Sequence, residues 1–146
     1  MSSKRNHLEQ NTFYFCTITC FQWLKLIEIT NIYDEIYKWF DILKENNCPV
    51  TGYVIMPNHL HFLIFQYEGS RLLNTLIANG KRFLAYEIVK RLKRINQNRI
   101  LNFLSFSVQD NLRQKGQKHR VFNDSFDAKI CETEKKNKNC SGLHSF

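Results

Sequence analysis

The stretch that most limits what this chain can fold into runs from Thr51 to Phe65, Thr-Gly-Tyr-Val-Ile-Met-Pro-Asn-His-Leu-His-Phe-Leu-Ile-Phe. Two apolar runs joined by Pro57-Asn58 predict an antiparallel hairpin. Pro-Asn is not one of the usual two-residue turns, so a wider loop is expected. His59 and His61 open the second run. Side chains on a strand alternate between faces, which puts both imidazoles on one face and sends Leu60 into the opposite layer. Two adjacent neutral imidazoles can share one divalent metal and leave positions open for substrate oxygens. The plainer alternative is a pair of partly buried, hydrogen-bonded histidines. Because Phe62, Leu63, Ile64 and Phe65 make both sides of the strand apolar, two polar rings within it call for a reason.

The remaining chain supplies one core. At 146 residues and 43% apolar content it fits a single domain over residues 1–130, followed by a polar tail over 131–146 to which no chemistry is assigned. Asn11 to Cys20, rich in aromatic and β-branched residues, predicts a first strand. Ile32, Ile36, Trp39, Phe40 and Leu43 recur at helical spacing, with Asp34, Glu35, Asp41 and Lys44 mostly opposite, and Cys48-Pro49 ends that helix. Ser70 is the expected cap of a second helix reaching Lys93, with Gly80 its one weak point. Its apolar arc is Leu73, Leu76, Ile77, Phe83, Leu84, Ile88 and Leu92; the opposite stripe carries Thr75, Asn79, Arg82, Tyr86 and Lys93. Residues 98–115 predict a weaker helix stopped by Gly116, and Lys118 to Phe122 a fourth strand. The order strand, helix, strand, strand, helix, strand specifies an α+β fold: a ferredoxin-like antiparallel sheet with helices on one face.

Charge and cysteine usage narrow the partners. Of the net +8, residues 1–70 contribute −2 and residues 71–130 contribute +9, which suggests a polyanion, nucleic acid by default, laid across the second half. No secretory signal and no membrane-length apolar run is visible, so a cytoplasmic protein without membrane contact is expected. Cys16, Cys20, Cys48, Cys131 and Cys140 form no Cys-x-x-Cys pair and are read as reduced thiols.

Met56-Pro57-Asn58-His59-Leu60-His61-Phe62-Leu63-Ile64 resembles the His-hydrophobic-His signature of single-strand DNA transposases of the HUH superfamily that use one catalytic tyrosine, especially the REP-associated tyrosine transposases. Gly80 through Leu92, with Tyr86 inside, resembles that family's tyrosine helix, and Gly116 to Cys131 its downstream segment. The resemblance implies that His59 and His61 hold Mg²⁺ or Mn²⁺ against a phosphate of single-stranded DNA. Tyr86 would attack that phosphate to leave a 5′-phosphotyrosine link and a free 3′-hydroxyl. It also implies recognition of hairpin or palindromic repeat ends by a basic surface from Arg71 to Arg99, with Arg71, Lys81, Arg82, Lys90, Lys93 and Arg94 as DNA-binding residues. The active form is a monomer or a homodimer, the homodimer being favoured, with the tyrosine acting within or between chains.

Two departures from the pattern are visible. One turn after Tyr86 the family often places Gln, Asn or His as a third metal ligand. Lys90 stands there and cannot ligate, so the third ligand stays open between Glu87, Gln66 and neither. After Cys131 a Tyr-Ile-His-x-Asn-Pro-like segment is replaced by Lys-Lys-Asn-Lys-Asn-Cys-Ser-Gly, as in a truncated or frameshifted copy. The main alternative is therefore a non-catalytic module for single-stranded nucleic acid, with Tyr14, Tyr53 and Phe62 stacking bases. A histidine-dependent phosphoesterase fits less well, since position 63 is Leu63 and no second His-x-Ser/Thr motif occurs.

Overall fold

Alternation along β1 (Thr12–Thr19) and β3 (His59–Gln66) builds a sheet with two unlike faces. The computed structural model describes residues 10–124, 127–131 and 144–145. Between those strands lie a 3-10 turn at Phe21–Trp23, α1 (Leu26–Thr30), α2 (Tyr33–Glu45) and β2 (Val50–Ile55). After them come α3 (Leu73–Arg94), α4 (Asn98–Phe106), α5 (Asp110–Gln114), β4 (Asp127–Ile130) and the two-residue β5 (His144–Ser145). The strand order is β4-β1-β3-β2-β5, every pair antiparallel. The first four strands follow the order expected of a ferredoxin-like sheet.

One face is covered. Tyr14, Cys16 and Ile18 of β1 and Leu60, Phe62 and Ile64 of β3 are buried together with Ile36, Trp39, Phe40 and Leu43 of α2 and Leu73, Leu76, Ile77, Leu84, Ile88 and Leu92 of α3. Burial of each large side chain contributes roughly 1.5–3 kcal/mol. Gly80, which helix propensity marks as a weak point, is a contact. A Cβ there would stand 2.1 Å from Cε2 of Trp39, so α2 and α3 approach through the missing side chain. Glu35 is drawn into this layer as well, paired with Lys38 at 3.0 Å. The other face, with Phe13, Phe15, Thr17 and Thr19 beside His59, His61, Leu63 and Phe65, carries no helix among the described residues and stays partly exposed.

Four expectations are corrected. Ser70 is not the cap of α3: its N–H donates to the Tyr67 carbonyl in a turn that Gly69, at φ 82°, makes possible, and Leu72 occupies the cap position without a side-chain bond. The helix over 98–115 is broken, because the Ser107 hydroxyl bonds the Phe103 carbonyl at 2.7 Å and extended Gln109 restarts the chain as α5. Residues 118–122 form no strand beyond the Cys20–Phe122 bridge. Val121 and Phe122 plug the core there, the Arg120 N–H bonds the Leu104 carbonyl, and the edge of β1 is taken by β4 instead. Lastly, Cys131 is disulfide-bonded, while Cys16, Cys20 and Cys48 are free and buried. Those three lie in the core out of reach, whereas Cys131 is partly exposed just past β4.

His144 and Ser145, from the tail, pair with Tyr53 and Gly52 at the β2 edge. The other tail residues, 132–143 and 146, and the expected tail character lie outside the described residues. Among the described residues, no helix is long and apolar enough to cross a membrane.

Candidate functional site

Both histidines stand on the open face, as their spacing predicts. The register sets Thr19 opposite His59 and Thr17 opposite His61, and the two ring centroids are 4.8 Å apart at 77°. The loop entering β3 is three residues long, as its unusual turn sequence suggests, and is held from outside. The Pro57 carbonyl accepts the N–H groups of Ile27 and Glu28, and the Asn58 carbonyl accepts that of Cys20. Thus α1 and the 3-10 turn fix the point from which His59 projects.

Each imidazole is oriented through Nδ1. His59 Nδ1 lies 2.7 Å from Oδ1 of Asn58, whose Nδ2 in turn donates to the Trp23 carbonyl. An amide oxygen only accepts, so His59 carries its proton on Nδ1 and keeps a lone pair on Nε2. His61 Nδ1 is 2.9 Å from Oγ1 of Thr17, a hydroxyl able to accept in the same way. Trp23 meets the His59 ring edge-on at 5.5 Å, and Phe15 stacks on His61 at 5.5 Å. Burial holds both histidines below their ordinary pKa, and His61 is pushed further down by His59. Two neutral rings with their Nδ1 atoms engaged and their Nε2 lone pairs unspent suit a shared divalent ion. Thr17, Phe15 and Trp23 escaped the sequence reading, because the strand register and the 3-10 turn bring them to the histidines; Asn58 is legible there only as a turn residue.

Among the described residues, no group of three or more His, Cys, Asp or Glu side chains is assembled for a metal. Gln66 is buried on the covered face with its Nε2 on the Arg71 carbonyl, and Glu87 is paired with Lys90 at 3.1 Å on α3.

Tyr86 is also not brought to the histidines within the chain. It is 68% exposed. At 100° per residue it points directly away from the buried arc of α3, and α3 packs on the covered face. The thickness of a helix and of the sheet, on the order of 10 Å or more, separates its hydroxyl from the imidazoles. Arg71, Arg82, Lys90, Lys93 and Arg94 are exposed, so the basic surface exists, but along the helix layer. Lys81 is withdrawn from it. Its Nζ donates to the Asn123 carbonyl at 2.5 Å, and burial lowers its pKa to about 8. The aromatics named for base stacking are displaced too: Tyr14 and Phe62 are fully buried under the helices, and Tyr53 packs against Phe40 and Tyr37. The open face offers Phe13, Phe65 and Tyr67 instead, with Phe13–Phe65 at 4.7 Å and Phe65–Tyr67 at 4.6 Å.

No protein-family model matches this chain, and no curated protein matches it. Among solved structures it is similar to a REP-associated tyrosine transposase bound to a REP hairpin, at a TM-score of 0.58 and 13% identity over 96% of this chain and 68% of that one. A candidate transposase from Deinococcus radiodurans R1 aligns over 100% of both chains at 13% identity and a TM-score of 0.49. The fold is transposase-like. That conclusion rests on the first likeness and on the β4-β1-β3-β2 order, and at this identity it concerns the backbone.

Proposed function

We propose that this chain is a DNA-processing domain of the single-strand transposase type, with His59 and His61 holding a divalent metal, Mg²⁺ or Mn²⁺, at a phosphodiester. The observation that carries the reading is the pair of Nδ1-anchored, neutral imidazoles on an open sheet face. When bound, the metal supplies Lewis acidity at a phosphate oxygen. His59 and His61 orient that group through rings locked by Asn58 and Thr17, with Trp23 and Phe15 packed against them.

The nucleophile is assigned to Tyr86 of a second copy, since its own chain turns it away from the open face. The phenol oxygen bonds to phosphorus as the P–O3′ bond breaks. The proton lost from the phenol ends on the departing 3′ oxygen, leaving a 5′-phosphotyrosine and a 3′-hydroxyl. The reverse step reseals the strand without ATP. Single-stranded DNA with hairpin or palindromic ends fits the basic helix surface, and the hairpin held by the REP-associated transposase is consistent with that choice.

A mixing experiment tests this. Labelled single-stranded DNA and Mn²⁺ are incubated with wild type, Tyr86→Phe, His59→Ala and an equimolar mixture of the two variants, then run on a denaturing gel. Wild type should yield a covalent band, each variant alone none, and the mixture a band on the His59→Ala chain. A band that survives Tyr86→Phe but not His59→Ala refutes the tyrosine assignment and keeps the histidine site. Tight binding with no band in any lane leaves the second reading, a passive single-strand binder. That reading is favoured by the outward Tyr86 and the exposed Phe13–Phe65–Tyr67 cluster.

A further inference from the structure

Away from the histidines, α4, α5 and the strap 116–119 border an open cleft of about 410 Å³ lined by Ser105, Arg113, Gly116, Gln117, Lys118 and His119. We infer that it is a phosphate-binding pocket, and that its occupant is a backbone phosphate of the nucleic acid. The second half of that statement rests on the proposed function; the first does not.

The lining is chemically one-sided. It holds a guanidinium, an ammonium, an imidazole, an amide and a hydroxyl, all able to donate to an oxyanion, and no carboxylate among the described residues. The frame is built rather than incidental. Arg113 is fastened by Nη2 to the carbonyls of Ser105 at 2.8 Å and Val108 at 3.4 Å, which holds the guanidinium at the rim. The strap turns at Gly116, whose φ of 100° a side chain would resist. It is then held by Gly116 N–H on the Arg113 carbonyl, Gln117 N–H on the Leu112 carbonyl and Gln117 Nε2 on the His119 carbonyl.

The charge around it is unbalanced. Lys93 from α3 and Lys118 from the strap both press on half-buried His119, adding to burial in lowering its proton affinity. A phosphodiester anion would relieve part of this field, and the volume lies in the range that accepts a phosphate with part of its sugar. Arg113, Lys118 and His119 lie outside the Arg71–Arg99 surface that the family resemblance implies, because they gather only when α5 and the strap fold back on α4.

The test uses the full chain and inorganic phosphate as probe. At constant ionic strength, phosphate should shift the His119 ring resonances saturably and raise the pH at which that ring titrates. Lys118→Gln, an exposed substitution checked for folding by circular dichroism, should weaken the effect about five- to tenfold. With a single-stranded oligonucleotide, the same variant should lower the slope of log affinity against log salt by about 0.7. Mn²⁺ broadening of His59 and His61 should be unchanged. A linear drift identical in wild type and Lys118→Gln overturns the pocket. Saturation by phosphate with an unaltered oligonucleotide slope overturns the backbone assignment and makes free phosphate or a nucleotide the occupant. If wild type binds phosphate but no oligonucleotide, the proposed function fails and the phosphate pocket stands.

Discussion

The two faces of β3 make opposite use of the same alternation. Leu60, Phe62 and Ile64 meet α2 and α3 and are almost completely buried, while His59, His61, Leu63 and Phe65 look onto a face that no helix covers among the described residues. Packing on the first face makes the domain stable. The second is left chemically available, and its polar rings are anchored by neighbours on β1 and in the hairpin loop rather than by a core. The difference teaches that in such a sheet stability and chemistry can be probed by substitutions only a few residues apart on one strand.

Truncating an aromatic ring on each face should separate the two most strongly. Phe62 is fully buried between Trp39 at 5.4 Å and Phe40 at 5.9 Å, so Phe62→Ala should destabilise by about 3–5 kcal/mol in urea unfolding. Phe65 touches Phe13 and Tyr67 at the surface, and Phe65→Ala should cost roughly 0.5–1.5 kcal/mol. Equal losses would mean that the open face is covered in solution.

A smaller effect comes from the cation that the helix layer partly buries. Lys81 has a folded pKa of about 8 against an ordinary 10.5. Below pH 8 it is charged in both states and the folded state bears the full cost of burying the charge. Above pH 10.5 it is neutral in both and the cost is gone. Between these limits the unfolded chain holds more protons, so stability rises with pH. Wild type should gain about 2–3 kcal/mol relative to Lys81→Met between pH 8 and 10.5, measured as a difference of unfolding free energies. A flat difference would place the Lys81 ammonium in water.

Which parts of this arrangement are legible in the sequence follows from which rest on periodicity. The strands β1 to β3 and the helices α2 and α3 announce themselves, as does the shared face of His59 and His61. Periodicity cannot say which face of β3 the helices cover, because Leu63 and Phe65 are as apolar as Phe62 and Ile64. The base-stacking alternative therefore names Tyr14, Tyr53 and Phe62, which pack beneath helices. The same limit applies to Tyr86: its stripe is correctly polar, but only the packing of α3 shows that the stripe faces away from the histidines. Val121 and Phe122 read as strand because a buried plug and a strand share a composition. The break at Ser107 depends on one hydroxyl finding one carbonyl.

The finest distinction between the faces concerns the groups that aim the two imidazoles. Thr17→Val keeps the shape of the side chain and removes the oxygen that His61 Nδ1 meets at 2.9 Å. The ring can then rotate or carry its proton on Nε2, and either change withdraws the lone pair from the site. Mn²⁺ affinity should fall about tenfold, equivalent to ~1.4 kcal/mol, and Asn58→Ala should act similarly through His59. Stability should change by less than the Phe65 truncation, since Thr17 lies on the partly exposed face. The pH dependence carries the same signature. Burial holds both histidines below 6.5, so the native state resists protonation that the unfolded chain accepts. Their contribution to stability is present above pH 6.5 and is lost as pH falls below 6.5 through their folded values. Mn²⁺ binding, which needs the neutral rings, should therefore persist at pH 6.5 and fail only further into acid. Tenfold weaker binding in Thr17→Val with an unchanged acid limit assigns Thr17 to orientation, whereas unchanged affinity would mean that His61 needs no such anchor to hold an ion.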